Sequence, residues 1–129
     1  MATDPLAELV VDEAAIARGE LAEVLEAFVR LTKGGDLIFE PAFDSLTAHQ
    51  RVCCVLLSLR AGEMLGFRAG PGATPKEIVE LSGMPAGTVR PKLVDLTKRR
   101  LARKANGRYE IPVATLRAAS RFVRGASNE

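Results

Sequence analysis

An α+β fold that is mainly helical follows from three features of this 129-residue chain. Apolar residues recur at helical spacing, as in Val52, Val55, Leu56 and Leu59. Thr47 is followed three positions later by Gln50, and Thr74 by Glu77, the pattern of a capping box at a helix start. Asn106-Gly107 lies between two short alternating segments, and this dipeptide marks a tight β-hairpin because both residues tolerate positive φ. Hydrophobic residues make up 47% and charged residues 26%, the range of a folded domain rather than a disordered chain. With one Tyr, five Phe and no Trp, the core must be filled by Leu, Val, Ile and Ala.

The elements follow in order. Asp4-Pro5 starts a first helix running to Glu13, with Leu6, Leu9 and Val10 as its stripe. A second, Gly19 to Leu31, carries Leu21, Val24, Leu25 and Phe28 at i, i+3, i+4, i+7. Lys33 to Asp36 turns the chain, and "LIFEPAF" reads as a short strand that Pro41 confines to an edge. Residues 1–46 thus form an acidic helix and β-hairpin extension. A long central helix capped by Thr47 directs Val52, Val55, Leu56, Leu59 and Leu65 inward, and "FRAGPGA" breaks it. Thr74 caps a short helix with Pro75 at its first position, Ile78, Val79 and Leu81 inward, and Gly83 at its stop. After Met84-Pro85 a helix from Ala86 to Arg99 buries Val89, Leu93 and Leu96, with Leu101 just beyond it. Pro91 has no N–H to give Gly87, so it is expected to loosen or kink the first turn. "LARKA" and "RYEI" are the hairpin strands, and Pro112 opens a last helix with Val113, Leu116, Ala119 and Val123 on one face. The boundaries expected are 1–46, 47–111 and 112–129, with a core of Val52, Val55, Leu56, Leu59, Ile78, Leu81, Val89, Leu93, Leu96 and Leu101.

Several function classes are disfavoured. The longest apolar run, Val52 to Leu57, is far short of the ~20 residues that cross a bilayer. The acidic N-terminus lacks the basic-then-apolar pattern of a secretory signal, so a cytoplasmic protein without membrane contact is expected. Cys53 and Cys54 are adjacent, with no Cys-x-x-Cys, and read as small apolar core residues. His49 is the single histidine, so no metal or other cofactor is expected. Glu63, Glu77, Glu80 and Asp95 are scattered, no Ser/His/Asp set is visible, and "GPGATPK" lacks the Lys-Ser/Thr ending of a phosphate loop. An enzyme is therefore not expected.

Charge is unevenly spread. The net charge is +2, yet residues 1–50 hold three basic and ten acidic side chains, whereas residues 51–129 hold fifteen and six. Gly83 to Pro112 alone carries eight basic and two acidic residues. Such asymmetry points to a polyanion as partner of the C-terminal part.

The order helix, helix, tight turn, helix, hairpin over residues 47–111 resembles the winged helix-turn-helix superfamily. The stretch that carries it is "ATPKEIVELSGMPAGTVRPKLVDLTKRRLARKANGRYEIP", similar to prokaryotic transcription regulators of that kind. The resemblance implies that helix 86–99 enters the major groove of double-stranded DNA and that wing 103–108 lies on the backbone or minor groove. Pro91 departs from the pattern.

The residue types agree with that implication. With Val89, Leu93 and Leu96 inward, Thr88, Arg90, Lys92, Asp95, Lys98 and Arg99 point outward at helical spacing. Arg90 and Lys92 lie near the helix N-terminus, the end usually presented to base edges. Arg pairs bidentately with guanine, while Lys and Thr serve phosphates or bases. Arg103, Lys104 and Arg108 bracket the turn, where contacts to phosphates position without specifying sequence. A charged helix face is also an ordinary solvated surface, and winged helices also serve as protein-docking modules or accessory subunits of larger assemblies. A homodimer through the N-terminal and C-terminal helices is expected, because the stripe of Leu21, Leu25 and Phe28 needs cover.

Overall fold

The computed structural model describes residues 4–125, and positions 126–129 of the expected C-terminal tail lie outside them. The elements are α1 (Glu13–Leu25), β1 (Val29–Leu31), β2 (Leu37–Phe39), α2 (Ala48–Met64), α3 (Pro75–Ser82), α4 (Ala86–Lys98), β3 (Arg103–Ala105), β4 (Arg108–Glu110) and α5 (Leu116–Arg124). Single turns of 3-10 helix occupy Pro5–Leu9, Pro41–Ser45 and Val113–Thr115. The expected α+β class, mainly helical with short hairpins, is the observed one.

Helix α2 is the axis on which the other helices pack. Its Thr47 hydroxyl accepts from the Gln50 N–H at 3.2 Å while the Gln50 side chain accepts from the Thr47 N–H at 2.9 Å, so the expected capping box is formed. From Val52 to Gly62 every residue is buried. Cys53 and Cys54 sit there as apolar filler, and burial pushes both thiols up, Cys54 to about 12, which leaves them as inert thiols. Of the ten expected core residues, all but Leu81 and Leu101 are buried, and those two are half-buried against the core. Leu65, expected inward, follows the end of α2 and is 49% exposed.

The N-terminal part departs most from expectation. The first helix is only the turn Pro5–Leu9 and buries nothing. The longer helix begins at Glu13, six residues before Gly19, because the Asp12 carboxylate accepts from the Ala14 and Ala15 N–H groups. It ends at Leu25 rather than Leu31, since Val29–Leu31 pairs antiparallel with Leu37–Phe39. A three-residue strand is too short for its alternation to outweigh the preceding helical period, and only its partner reveals it. The strand read from "LIFEPAF" stops at Phe39, where Pro41 opens a 3-10 turn.

Much of the two faces expected to pair with a second copy is covered within the chain, while Phe28 of the expected stripe is half-buried. Helix α5 packs on both α1 and α2, burying Leu21, Val24 and Leu25 together with Leu116, Ala119 and Val123. One core thus joins all three expected segments. Helix α5 starts at Leu116, four residues after Pro112, because Val113–Thr115 forms a tighter 3-10 turn first.

Candidate functional site

Helices α3 and α4 meet at a short turn that leaves the outer face of α4 open. In α3 the Thr74 hydroxyl accepts from the Glu77 N–H at 3.2 Å, and Glu77 Oε1 accepts from the Thr74 N–H at 2.8 Å. Gly83 ends α3 in the left-handed region, φ 71°, where a glycine carries no Cβ penalty. Helix α4 runs through Pro91 without interruption. The carbonyl deprived of its donor belongs to Gly87, which is exposed, so water can serve it. Val89, Leu93 and Leu96 are fully buried beneath.

The exposed residues of α4 include Gly87, Arg90, Pro91, Val94 and Lys98, whereas Thr88, Lys92 and Asp95, expected to point outward, are half-buried. The outward stripe is therefore centred on Pro91 and Val94, with cations along its sides. Helical phase could have shown this, since Val94 lies seven residues after Gly87 and three after Pro91.

Strands β3 and β4 pair as Arg103 with Glu110, Lys104 with Tyr109 and Ala105 with Arg108, closed by Asn106 at φ 54° and Gly107 at φ 77°. Positive φ at both residues makes this the expected type I′ turn. The hairpin is held from behind in two ways that the sequence did not announce. The Ala73 N–H donates to the Tyr109 carbonyl at 3.1 Å and the Tyr109 N–H donates to the Ala73 carbonyl at 2.8 Å. Arg60, buried on α2, donates from Nη2 to the Ile111 carbonyl at 2.9 Å and lies 4.0 Å from Glu110. Gly72 sits where these segments meet: a Cβ there would lie 3.1 Å from the Tyr109 carbonyl oxygen, a tight contact. Arg60 is the one charged residue between Val52 and Gly62, and a charge in so apolar a stretch of helix calls for a partner.

Several expected contact residues already have partners. Arg99 is 2.7 Å from Asp95, whose other neighbour is His49 at 2.9 Å, and its guanidinium lies 5.4 Å from the Phe122 ring. Arg103 is 2.6 Å from Glu110, and Arg108 is 2.9 Å from Glu77. The hydrogen bond from Arg99 holds the Asp95 carboxyl below its ordinary value. The Thr74 backbone N–H does the same for Glu77, with Arg108 and Arg68 adding to it. Arg90, Lys92, Lys98 and Lys104 have no carboxylate within 4.0 Å among the described residues, though the Lys104 ammonium lies 5.4 Å from the Tyr109 ring centre.

Arg100 joins this free set and was not among the expected contacts. It is exposed at φ 64°, bending the chain from α4 into β3. Holding a non-glycine residue there costs roughly 1–2 kcal/mol. Among the described residues no group of three or more His, Cys, Asp or Glu is placed to hold a metal ion, and no helix is long and apolar enough to cross a membrane. Comparisons with protein-family models, with curated proteins and with solved structures give no match.

Proposed function

We propose that this protein binds double-stranded DNA as a winged helix-turn-helix regulator of transcription in the cytoplasm, with α4 in the major groove and the β3–β4 wing on the backbone. One observation carries the reading. Arg90, Lys92, Lys98, Arg100 and Lys104 lack carboxylate partners among the described residues and belong to one continuous run of helix, bend and hairpin. An α-helix, ~10–12 Å across, matches a major groove ~12 Å wide. The paired cations do not oppose this. Ion pairs exposed on both sides are worth about 0–1 kcal/mol, so Arg99 and Arg108 exchange a carboxylate for a phosphate at little cost, whereas Arg103 is held by the largely buried Glu110. Thr88 flanks the first turn, and Val94, 46% exposed on the outward stripe, suits a thymine methyl.

Titration of a random duplex across a range of salt tests this. Expected is measurable binding at low salt, with log K falling by about 0.9 per phosphate contacted for each decade of salt. Affinity weaker than ~10⁻⁴ M for every duplex at low salt overturns it, being below ordinary non-specific binding.

A second reading rests on the centre of the α4 face. Gly87, Pro91 and Val94 form a flat, weakly polar strip, which also fits a winged helix that docks on a protein as an accessory subunit. Failure of duplex binding, with Val94→Asp abolishing co-purification of a stoichiometric protein, favours that reading.

A further inference from the structure

Two features remote from α4 are each left incomplete by the fold, and they complement one another. The first is the arm, residues 4–11. Its Leu6, Leu9, Val10 and Val11 are 65%, 75%, 77% and 59% exposed. Within it a 3-10 turn stacks Leu6 and Leu9 on one ridge, because positions three apart eclipse in that geometry. The arm is acidic as well, with Asp4 and Glu8 and no basic residue.

The second is an open groove of about 380 Å³ between α1, β1 and the end of α2, floored by Leu21, Leu25, Val29, Leu31, Met64 and Leu65. Arg18 and Arg30 stand at its rim with Glu26. The Arg18 guanidinium donates to the Met64 carbonyl at 2.8 Å, and that of Arg30 to the Val29 carbonyl at 3.0 Å. Neither has a carboxylate within 4.0 Å among the described residues. The groove therefore offers apolar surface and a rim where two cations outnumber one carboxylate, and the arm offers apolar side chains and two acids.

We propose that the arm of one copy lies in this groove of a second copy, reciprocally, so that the protein dimerises by exchanging arms. The occupant belongs to the second copy because the arm does not enter the groove of its own chain: none of residues 4–11 lines it, and Leu6, Leu9, Val10 and Val11 stay exposed. Asp12 caps α1 through the Ala14 and Ala15 N–H groups, at 3.1 and 3.2 Å, so the arm leaves at the N-terminal end, whereas the groove lies along the middle and far end of the helix. A two-fold pair satisfies both grooves with both arms, the usual closure for a self-complementary contact. This dimer does not depend on nucleic acid.

Sedimentation equilibrium of the full chain over a wide concentration range reads the outcome. Expected is a reversible dimer whose Kd rises at least tenfold in Leu9→Asp/Val10→Asp and in Leu65→Glu; these positions are exposed, so the fold should survive, as circular dichroism will check. The paired reversals separate a specific fit from general stickiness. Asp4→Lys/Glu8→Lys and Arg18→Glu/Arg30→Glu should each weaken the dimer, and their combination should restore it to within a few fold of wild type. A strict monomer, a dimer indifferent to the arm and groove variants, or no recovery in the combined reversal overturns the proposal. Duplex titration of the same variants keeps its failure distinguishable from failure of the DNA reading, since α4 and the wing are unaltered.

Discussion

The two hairpins have strands of the same length and do opposite work. Each has three-residue strands. In β1–β2 the inward positions join the core: Val29 is buried, Leu31, Leu37 and Phe39 pack against it, and Phe39 stacks on Phe43 with ring centroids 4.2 Å apart. In β3–β4, Arg103, Lys104, Ala105 and Arg108 are all exposed, and Tyr109 is the single buried side chain. The first hairpin is held by its side chains. The second is held by its backbone, through Ala73 and through Arg60 on the Ile111 carbonyl, which frees its side chains to face outward. A charged hairpin needs such a mount, because an isolated two-stranded ribbon is at best marginally stable in water.

The largest expected effect lies in the core that both hairpins share. Leu93→Ala should cost ~2–5 kcal/mol in denaturant unfolding, since a fully buried Leu loses transfer energy and leaves a cavity. A loss below ~1 kcal/mol would show that α4 is not mounted as described. Gly72→Ala sharpens the contrast between the hairpins. Its Cβ would press on the Tyr109 carbonyl oxygen, costing roughly 1–3 kcal/mol. Amide exchange should then quicken in β3–β4 and not in β1–β2, and equal quickening would refute backbone mounting as the difference.

On duplex DNA, Arg90→Ala should cost ~1–3 kcal/mol on the best site and relax sequence preference, whereas Lys104→Ala should weaken all sequences alike and lower the salt slope by about 1. Identical behaviour of the two would remove the division between reading helix and positioning wing. The smallest effect is one of pH. Glu77 and Asp95 have depressed carboxyls, so their contribution to stability is complete above the ordinary unfolded values, about pH 4 to 4.5, and is lost as pH falls through their lower folded values. Glu77→Gln should flatten the acid limb of melting temperature against pH and release Arg108 from its partner. An unchanged acid limb would show that Glu77, held first by the Thr74 N–H, does not contribute to acid stability.

Where local chemistry is self-sufficient, the chain announces its own structure. Thr47 with Gln50 and Thr74 with Glu77 each close a hydrogen-bonded ring within four residues, and Asn106-Gly107 supplies two positive φ values unaided. The spacing of Val89, Leu93 and Leu96 likewise fixed which side of α4 is inner, because the period of a helix is independent of its neighbours. The Asp12 cap is equally local, since its carboxylate accepts from N–H groups two and three residues on. The rest depended on partners distant in the chain. Val29–Leu31 is a strand because Leu37–Phe39 lies beside it, and one face of α1 is covered by α5, more than ninety positions further along the chain. At the candidate site the sequence named the cations other than Arg100, but tertiary structure decided which of them are free. Glu77 reaches Arg108 across 31 positions, and Arg60 reaches the Ile111 carbonyl across 51. Such pairings follow from how α2, α3 and the wing pack, and no local spacing encodes them.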